Sequence, residues 1–448
     1  MTTPDWVEHV VWWQVYPLGF AGAEKAALPE QAPARHGLTQ LVPWLDYLVE
    51  MGASGLALGP VFASETHGYD TTDYYRIDSR LGDDADFDEL VAQAHARGIR
   101  VLLDGVFNHT GRSFAPFRQA LEQGPGATTA DWFGFIWPDG WTPGTEPDYK
   151  DFEGHHHLVA LNHAEPAVAD FVADVMKHWL RRGADGWRLD AAYAVPSPFW
   201  AKVLDEVRTE FPDAYFVGEY IHGNYPEDVR AGHLDSVTQY ELWKAIWSSL
   251  AEANFYELSA ALERHNTFLD TFVPLTFVGN HDVTRIASRL APSGRLAHAL
   301  VLLFTLPGTP TVYYGDEQGY RGDKEDRAGG DDDIRPSFPA SPEELSAVGQ
   351  PLYHLHQELI GLRRRHHWVH AARTRVHSLA NEQLVYEVFD AGHSLFVAMN
   401  LEDTSVTVQV PEAARDVLAG AGGLDVPGRQ LALPAKGWAI LGPAPAAG

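Results

Sequence analysis

The sequence predicts an α/β fold: a (β/α)8 TIM barrel with an inserted lobe after its third strand and an all-β domain at its C-terminal end. Three observations predict it. Short strand-like runs alternate with helix-length periodic segments in eight units between residues 10 and 365. One long stretch without periodicity, 110–162, interrupts that alternation. From about residue 374 the pattern changes to short β runs with no helix between them. The competitor is an open doubly wound sheet, which rarely needs eight regular units and would want a Gly-rich phosphate turn. No G-x-G-x-x-G or Walker-type loop is present. The expected division is 1–109 with 163–370 for the barrel, 110–162 for the inserted domain, and 371–448 for a β-sandwich.

Residues 10–16 (VVWWQVY) make the first strand. A helix is expected over 39–51, with Leu41, Trp44, Leu45 and Leu48 at helical spacing and Gly52 as its stop. Residues 55–58 form strand two. The helix over 84–97 opens on an Asp cap and closes at Gly98. Strand three, 99–106, is nearly continuous in apolar residues, as a strand covered on both faces should be. The stretch 110–162 holds Gly, Pro and aromatics with little period, the mark of an inserted functional lobe. Alternation resumes with a helix over 165–182, strand 184–190, helix 198–210 and strand 214–219. Strand 234–240 runs into one long helix ending near 265. Strand 272–279 with a helix over 283–304, and strand 309–314, complete the eight. A last helix, 351–365, ends in Arg363, Arg364 and Arg365, the charge that suits a helix C-terminus. The tail 444–448 is expected to fray.

Composition narrows the function. With 33 basic and 61 acidic residues the net charge is −28, a field that repels nucleic acid and anionic membrane. The acidity otherwise reads as a solubility device. The chain has no cysteine, which excludes disulfides, zinc–thiolate sites and thiol nucleophiles. No window approaches the roughly 18 apolar residues of a membrane span. The N-terminus lacks the basic start and apolar run of a secretory signal, so a cytoplasmic protein is expected.

The charges fall at strand ends, where barrels of this kind carry their chemistry. Strand three ends in Asp104 and continues to Asn108 and His109; strand four ends Arg188-Leu189-Asp190, strand five Val217-Gly218-Glu219, strand seven Gly279-Asn280-His281-Asp282. Arg188 and Asp190 share one face of their strand, and opposite charges inside an apolar run are costly unless paired. Alone, the two read as a buried ion pair, and a single Asp at a strand end reads as a cap or turn former. Several such ends converging on one mouth read differently. Three carboxylates in one pocket cannot all ionise cheaply, so at least one pKa should be raised. Glycoside cleavage needs that arrangement: a carboxylate nucleophile and a second carboxyl kept protonated.

The segments DGVFNH, GWRLDAA, VGEY and VGNHD resemble the four signature regions of the α-amylase superfamily, glycoside hydrolase family 13. Residues 64–74 (SETHGYDTTDY) resemble the family's loop after strand two, Leu161-Asn162 its motif ending the inserted domain, and 308–317 (GTPTVYYGDE) its eighth-strand segment. All occur in the family's order. The resemblance implies a retaining hydrolase cleaving α-glucosidic bonds of maltooligosaccharides or related α-gluco-oligosaccharides through a covalent glycosyl-enzyme. The alternative is a transglycosylase using the same intermediate, and Tyr193 and Tyr220 would favour it by excluding water. An inactive sugar-binding or scaffold relative would be expected to lack a catalytic carboxylate, and all three are present. Linkage, endo or exo action and oligomeric state stay open.

Carried over, the resemblance makes Asp190 the nucleophile, Glu219 the general acid/base and Asp282 the third carboxylate, gripping sugar hydroxyls. Arg188 would hold Asp190 ionised. His109 and His281 would bond the sugar at the cleavage site, Tyr69 would offer it a ring face, and Asp104 would support the floor. Asp70, Asp331 and Arg335 would hold the next sugar on the non-reducing side, although 331–333 reads equally as an acidic surface loop. Trp137 and Trp141 are candidate sugar platforms in the lobe. The chain departs from many starch-degrading members after Asp190, where Tyr193-Ala194 replaces a Lys-His pair used for acceptor contact and near a calcium site. No cofactor is therefore expected to be required. Asn108 matches a family calcium ligand but reads as well as a turn former, and His155-His156-His157 is too local to make a metal site without partners.

Overall fold

Eight parallel strands surround the core: β1 (Trp12–Val15), β2 (Gly55–Leu58), β3 (Arg100–Gly105), β4 (Gly186–Leu189), β5 (Tyr215–Gly218), β6 (Ser236–Val237), β7 (Leu275–Phe277) and β8 (Thr309–Tyr313). The structure is a computed structural model that describes residues 3–29, 31–327, 329–425 and 427–443, so the tail expected to fray, 444–448, lies outside the described residues. The strands pair in the order β6-β5-β4-β3-β2-β1-β8-β7, and a parallel bridge between Thr238 and Leu275 joins the two ends. This is the (β/α)8 barrel that the alternation predicts. Alternate residues of each strand serve different cores. Trp12, Ala57, Leu102, Tyr215, Val217, Leu275 and Phe277 fill the barrel. Trp13, Leu56, Val101, Leu103, Trp187 and Phe216 pack outward.

Several elements differ from their sequence readings. The helix expected over 39–51 becomes a 3-10 turn, Leu38–Leu41, and an α-helix, Trp44–Met51, because Pro43 has no N–H to continue the first turn. Gly52 ends it at φ 101°, a conformation glycine adopts without strain. The next helix, Asp84–Ala96, is capped by Asp83, whose carboxylate accepts from the Ala85 and Asp86 N–H groups while Asp86 accepts from Asp83 N–H. Strand six keeps two residues, since Asp235 turns its carboxylate to the Phe216 N–H and to Arg208. The single helix to 265 is two, Tyr240–Glu252 and Phe255–Phe268, divided by left-handed Ala253 and capped anew by Asn254. The helix over 283–304 also divides, into Ile286–Leu290 and Leu296–Thr305, across Pro292 and Gly294.

The stretch after β3 is ordered. His109–Gly111, Asp151–Phe152 and His155–Ala160 form a small antiparallel sheet beside a helix, Ala115–Gln123. An aromatic cluster of Phe114, Phe117, Phe133, Phe135 and Tyr149 holds it together. Two of these strands have only two or three residues, too short to leave a period. Beyond the barrel, Arg373–Leu379, Gln383–Phe389, Ser394–Asn400, Trp438–Gly442 and Asp416–Gly420 make one antiparallel sheet, and Val406–Gln409, Gln430–Leu433 and Gly423–Asp425 a second. Val385, Phe396, Val408, Leu431, Leu433 and Leu441 form their shared core, a sandwich. Among the described residues no helix is long and apolar enough to cross a membrane.

Candidate active site

Strand register builds the site. On β4, Arg188 lies level with Asp104 on β3 and Val217 on β5. One step on, the Asp190 N–H donates to Gly105 O and the Glu219 N–H to Leu189 O, each at 2.9 Å, so both carboxylates leave the sheet at adjoining levels. Arg188 Nη1 stands 2.7 and 2.9 Å from the two oxygens of Asp104 and 2.8 Å from Asp190 Oδ1, and Nη2 stands 2.5 Å from Glu219 Oε1. One buried guanidinium thus serves three buried carboxylates.

Such a cluster has more negative than positive charge in a place that is largely buried. Burial pushes the Asp104 and Asp190 carboxyls above the usual range, with Arg188 opposing it. Glu219 is pushed up to about 6 by burial, with Arg188 again opposing and Asp190 and Asp282 adding to the rise. Its Oε2 accepts the Ala191 N–H at 3.0 Å. Ala191 adopts φ 45°, ψ 36°, a left-handed conformation that costs a non-glycine residue on the order of 1 kcal/mol. That turn aims the N–H beside the candidate nucleophile at the candidate acid. Tyr240 donates to Glu219 Oε1 at 3.3 Å and accepts from Asn280 at 2.9 Å.

His281 is buried, and burial followed by the nearby Arg188 holds its pKa well below the usual value, so it is neutral at pH 7. Gln14 Nε2 lies 3.4 Å from its Nδ1, the Tyr69 hydroxyl bonds its Nε2, and that hydroxyl donates to Asp104 Oδ2 at 3.2 Å. A consistent ordering places the imidazole proton on Nε2. The Tyr69 ring stacks on His281, centroids 5.4 Å apart. His109 is pushed down to about 3 by burial. Its ring stacks on Phe152 and its Nδ1 meets Asn108 Nδ2 at 3.1 Å. Its Nε2 is buried without a well-formed hydrogen bond, and the Tyr69 backbone opposes burial in setting the pKa of the ring.

Asp282 stands apart from the other two carboxylates at the rim, its side chain 40% exposed. Its cation is Lys324, 2.7 Å away, with Arg335 at 3.7 Å. Arg335 also holds Asp331 at 2.9 Å, donates to His281 O at 2.9 Å and lies over the Tyr16 ring. The structure therefore gathers Asp331 and Arg335 beside Asp282. Asp70 behaves differently: it is buried, and both its oxygens accept from Thr66, so it clasps its own loop. Trp137 and Trp141 pack edge to face on each other within the lobe. Tyr193 donates to Glu153 Oε1 at 2.8 Å, tying the loop after Asp190 to the lobe.

Sequence reading missed Gln14, Tyr16, Tyr240 and Lys324. Gln14 left a signal, a polar residue inside an apolar strand, whereas Lys324 left none. Asn108, matched by the resemblance to a family calcium ligand, is buried just past the end of β3. Its amide nitrogen is turned to His109, and neighbouring His163 bonds Phe107 O at 2.9 Å. Among the described residues, the His, Asp and Glu ligand atoms that converge in a group of three belong to Glu8, His9 and His367, and no such group includes the 155–157 histidines.

Comparison with known proteins agrees with this geometry. The family described as "Alpha amylase, catalytic domain" matches residues 14–374. A cyclomaltodextrinase of Geobacillus thermopakistaniensis is 31% identical over 92% of this chain and 72% of its own length. An intracellular maltogenic amylase of Bacillus subtilis is 32% identical over 72% of this chain, which spans 57% of that protein's length. The solved structure of the cyclic α-maltosyl-(1→6)-maltose hydrolase of Arthrobacter globiformis superposes with a TM-score of 0.82 at 27% identity, covering 98% of this chain and 99% of that one. A barrel of this order, a carboxylate cluster at its strand ends and a family match over most of its length place the chain in the α-amylase family of glycoside hydrolases, glycoside hydrolase family 13.

Proposed function

We propose that the chain cleaves α-glucosidic bonds of short maltooligosaccharides with retention, through a glycosyl-enzyme on Asp190. The observation that carries this reading is the single Arg188 guanidinium bonded to both Asp190 and Glu219. It draws the two together, as a nucleophile and an acid acting on one bond require; retaining pairs stand about 5–5.5 Å apart. Glu219, with its raised pKa, gives its proton to the glycosidic oxygen as an Asp190 oxygen bonds C1 and the C1–O bond breaks. Glu219 then takes a proton from water, whose oxygen bonds C1 and releases Asp190. Asp282, His281 and His109 face the same mouth and would bond the sugar's hydroxyls. The relatives' names, cyclomaltodextrinase and maltogenic amylase, support α-glucan chemistry. Proton NMR of the first-formed product should show the α-anomer; the β-anomer would sink the assignment.

Transfer to a sugar is the second reading, and the Tyr193–Glu153 bond favours it by walling the leaving-group side. Products formed with and without added maltose separate the two: chain-lengthened products indicate transfer. We propose a cytoplasmic location, in keeping with the relative named intracellular.

We also propose that no calcium is required. Hydrogen bonds from Leu161 N to Asn108 O and between His163 and Phe107 O already tie the lobe to the barrel. Prolonged EDTA dialysis should leave activity and melting temperature unchanged. A large fall in either, restored by calcium, would overturn this.

A further inference from the structure

At the end of the barrel away from the carboxylate cluster, where the strands begin, Glu8, His9 and His367 converge. One ligand atom of each lies within 4.8 Å of the other two. Glu8 Oε1 and His367 Nδ1 are 2.7 Å apart, and the His9 and His367 rings meet edge to face, centroids 5.4 Å apart. All three residues are exposed, so their side chains can rotate and an ion from solvent can reach them.

The backbones that carry them are fixed. Glu8 and His9 close the 3-10 turn Asp5–His9, which is anchored by buried Val7 and by Trp6 Nε1 donating to Asp213 O at 3.2 Å. His9 O accepts from Ser54 Oγ at 3.3 Å. His367 opens the 3-10 turn His367–Ala371, anchored by buried Val369 and by His370, whose Nε2 lies 3.0 Å from Thr309 Oγ1. Two fixed turns thus hold adaptable side chains face to face, which lowers the ordering cost of binding. Both turns rest on their own buried residues, so the metal-free fold is the baseline and a metal adds to it.

The donor set selects the ion. Two imidazoles and one carboxylate suit a first-row transition metal, whereas calcium and magnesium take oxygen ligands. Zinc binds such ligands at about 2.0–2.2 Å, which sets them roughly 3.3–3.5 Å apart on a tetrahedron. Small rotations of exposed side chains close the three atoms to that spacing. Neutral His367 frees Nδ1 for the metal by carrying its proton on Nε2 instead. The net charge of −28 raises the local concentration of cations. We propose that Glu8, His9 and His367 form a zinc site, with water in the fourth position. The metal ties the segment entering β1 to the segment that leads into the C-terminal sandwich, whose first strand begins at Arg373.

The test starts from tag-free protein stripped with EDTA and dialysed free of it, titrated with zinc chloride in a calorimeter. One zinc per chain should bind at this site, and at about 100-fold above Kd the melting temperature should rise by roughly a few degrees. His367→Ala and His9→Ala should each weaken binding at least about tenfold and remove the rise, since even outer partners of a metal are worth about 10–100-fold. A variant with His155→Ala and His157→Ala should keep both. Calcium chloride should give neither heat nor rise. No zinc binding by the parent overturns the proposal, as does binding that survives both His367→Ala and His9→Ala or disappears with the 155 and 157 variant. Zinc that binds without raising the melting temperature overturns the tie, and calcium acting as zinc does overturns the nitrogen ligands.

Discussion

Glu219→Gln is expected to slow maltotriose hydrolysis by at least ~10²–10⁴-fold while raising stability at neutral pH. The amide keeps the carboxyl's shape and loses its proton, so sugar binding should largely persist. The stability gain follows from the raised pKa, from 4.5 to about 6, caused by burial. A carboxyl whose folded pKa lies above its unfolded value favours the folded state in acid and penalises it as pH rises from about 4.5 through 6. Above that window the penalty is on the order of 2 kcal/mol. Glutamine carries no charge and escapes it. Melting curves of the two proteins should therefore separate by roughly a few degrees at pH 8 and converge near pH 4. Wild-type turnover in the purified variant would move the acid role to another residue. Melting curves that stay together at pH 8 would count against the buried charge.

Arg188→Met should abolish activity near pH 7, with any remaining turnover displaced to higher pH. Arg188 is the chief group opposing burial at Asp104, Asp190 and Glu219. Without it all three carboxyls rise further, and Asp190 stays protonated to a higher pH than in the parent. Removing one partner of a buried pair typically costs about 3–5 kcal/mol, but here proton uptake relieves the strain. The sign is again that of raised carboxyls: the variant should be most stable in acid and lose stability as pH climbs toward the raised values. Circular dichroism at pH 5–6 should look native, and the pH–rate profile should shift alkaline. A variant with the parental profile and rate would reduce Arg188 to a structural ion pair.

The barrel strands were legible because burial on both faces writes an apolar run of a few residues into the chain. Polar residues at the ends of four such runs were legible for the same reason, as exceptions. Helix periodicity was a weaker guide. It carried across Ala253, where one left-handed residue turns the chain without changing its composition, and it missed the lobe, whose strands are two to six residues long. Asp70 shows the limit for single residues: nothing in its neighbours told that Thr66 would take both its oxygens.

The sequence by itself determined the eight-unit order and the two appended elements, and it singled out Asp190, Glu219, Asp282 and Arg188 as the candidate groups. Side-chain alternation and strand length are local properties, so local pattern carries them. Only the tertiary structure decided which charges answer which. Register put Asp104 level with Arg188, 84 residues away, making one guanidinium the partner of three carboxylates. Closure of the ring brought Gln14 to His281, and the path of the segment after β8 gave Asp282 a lysine 42 residues on. Counter-charges depend on distance in space, and for groups this far apart along the chain only the closed barrel sets that distance.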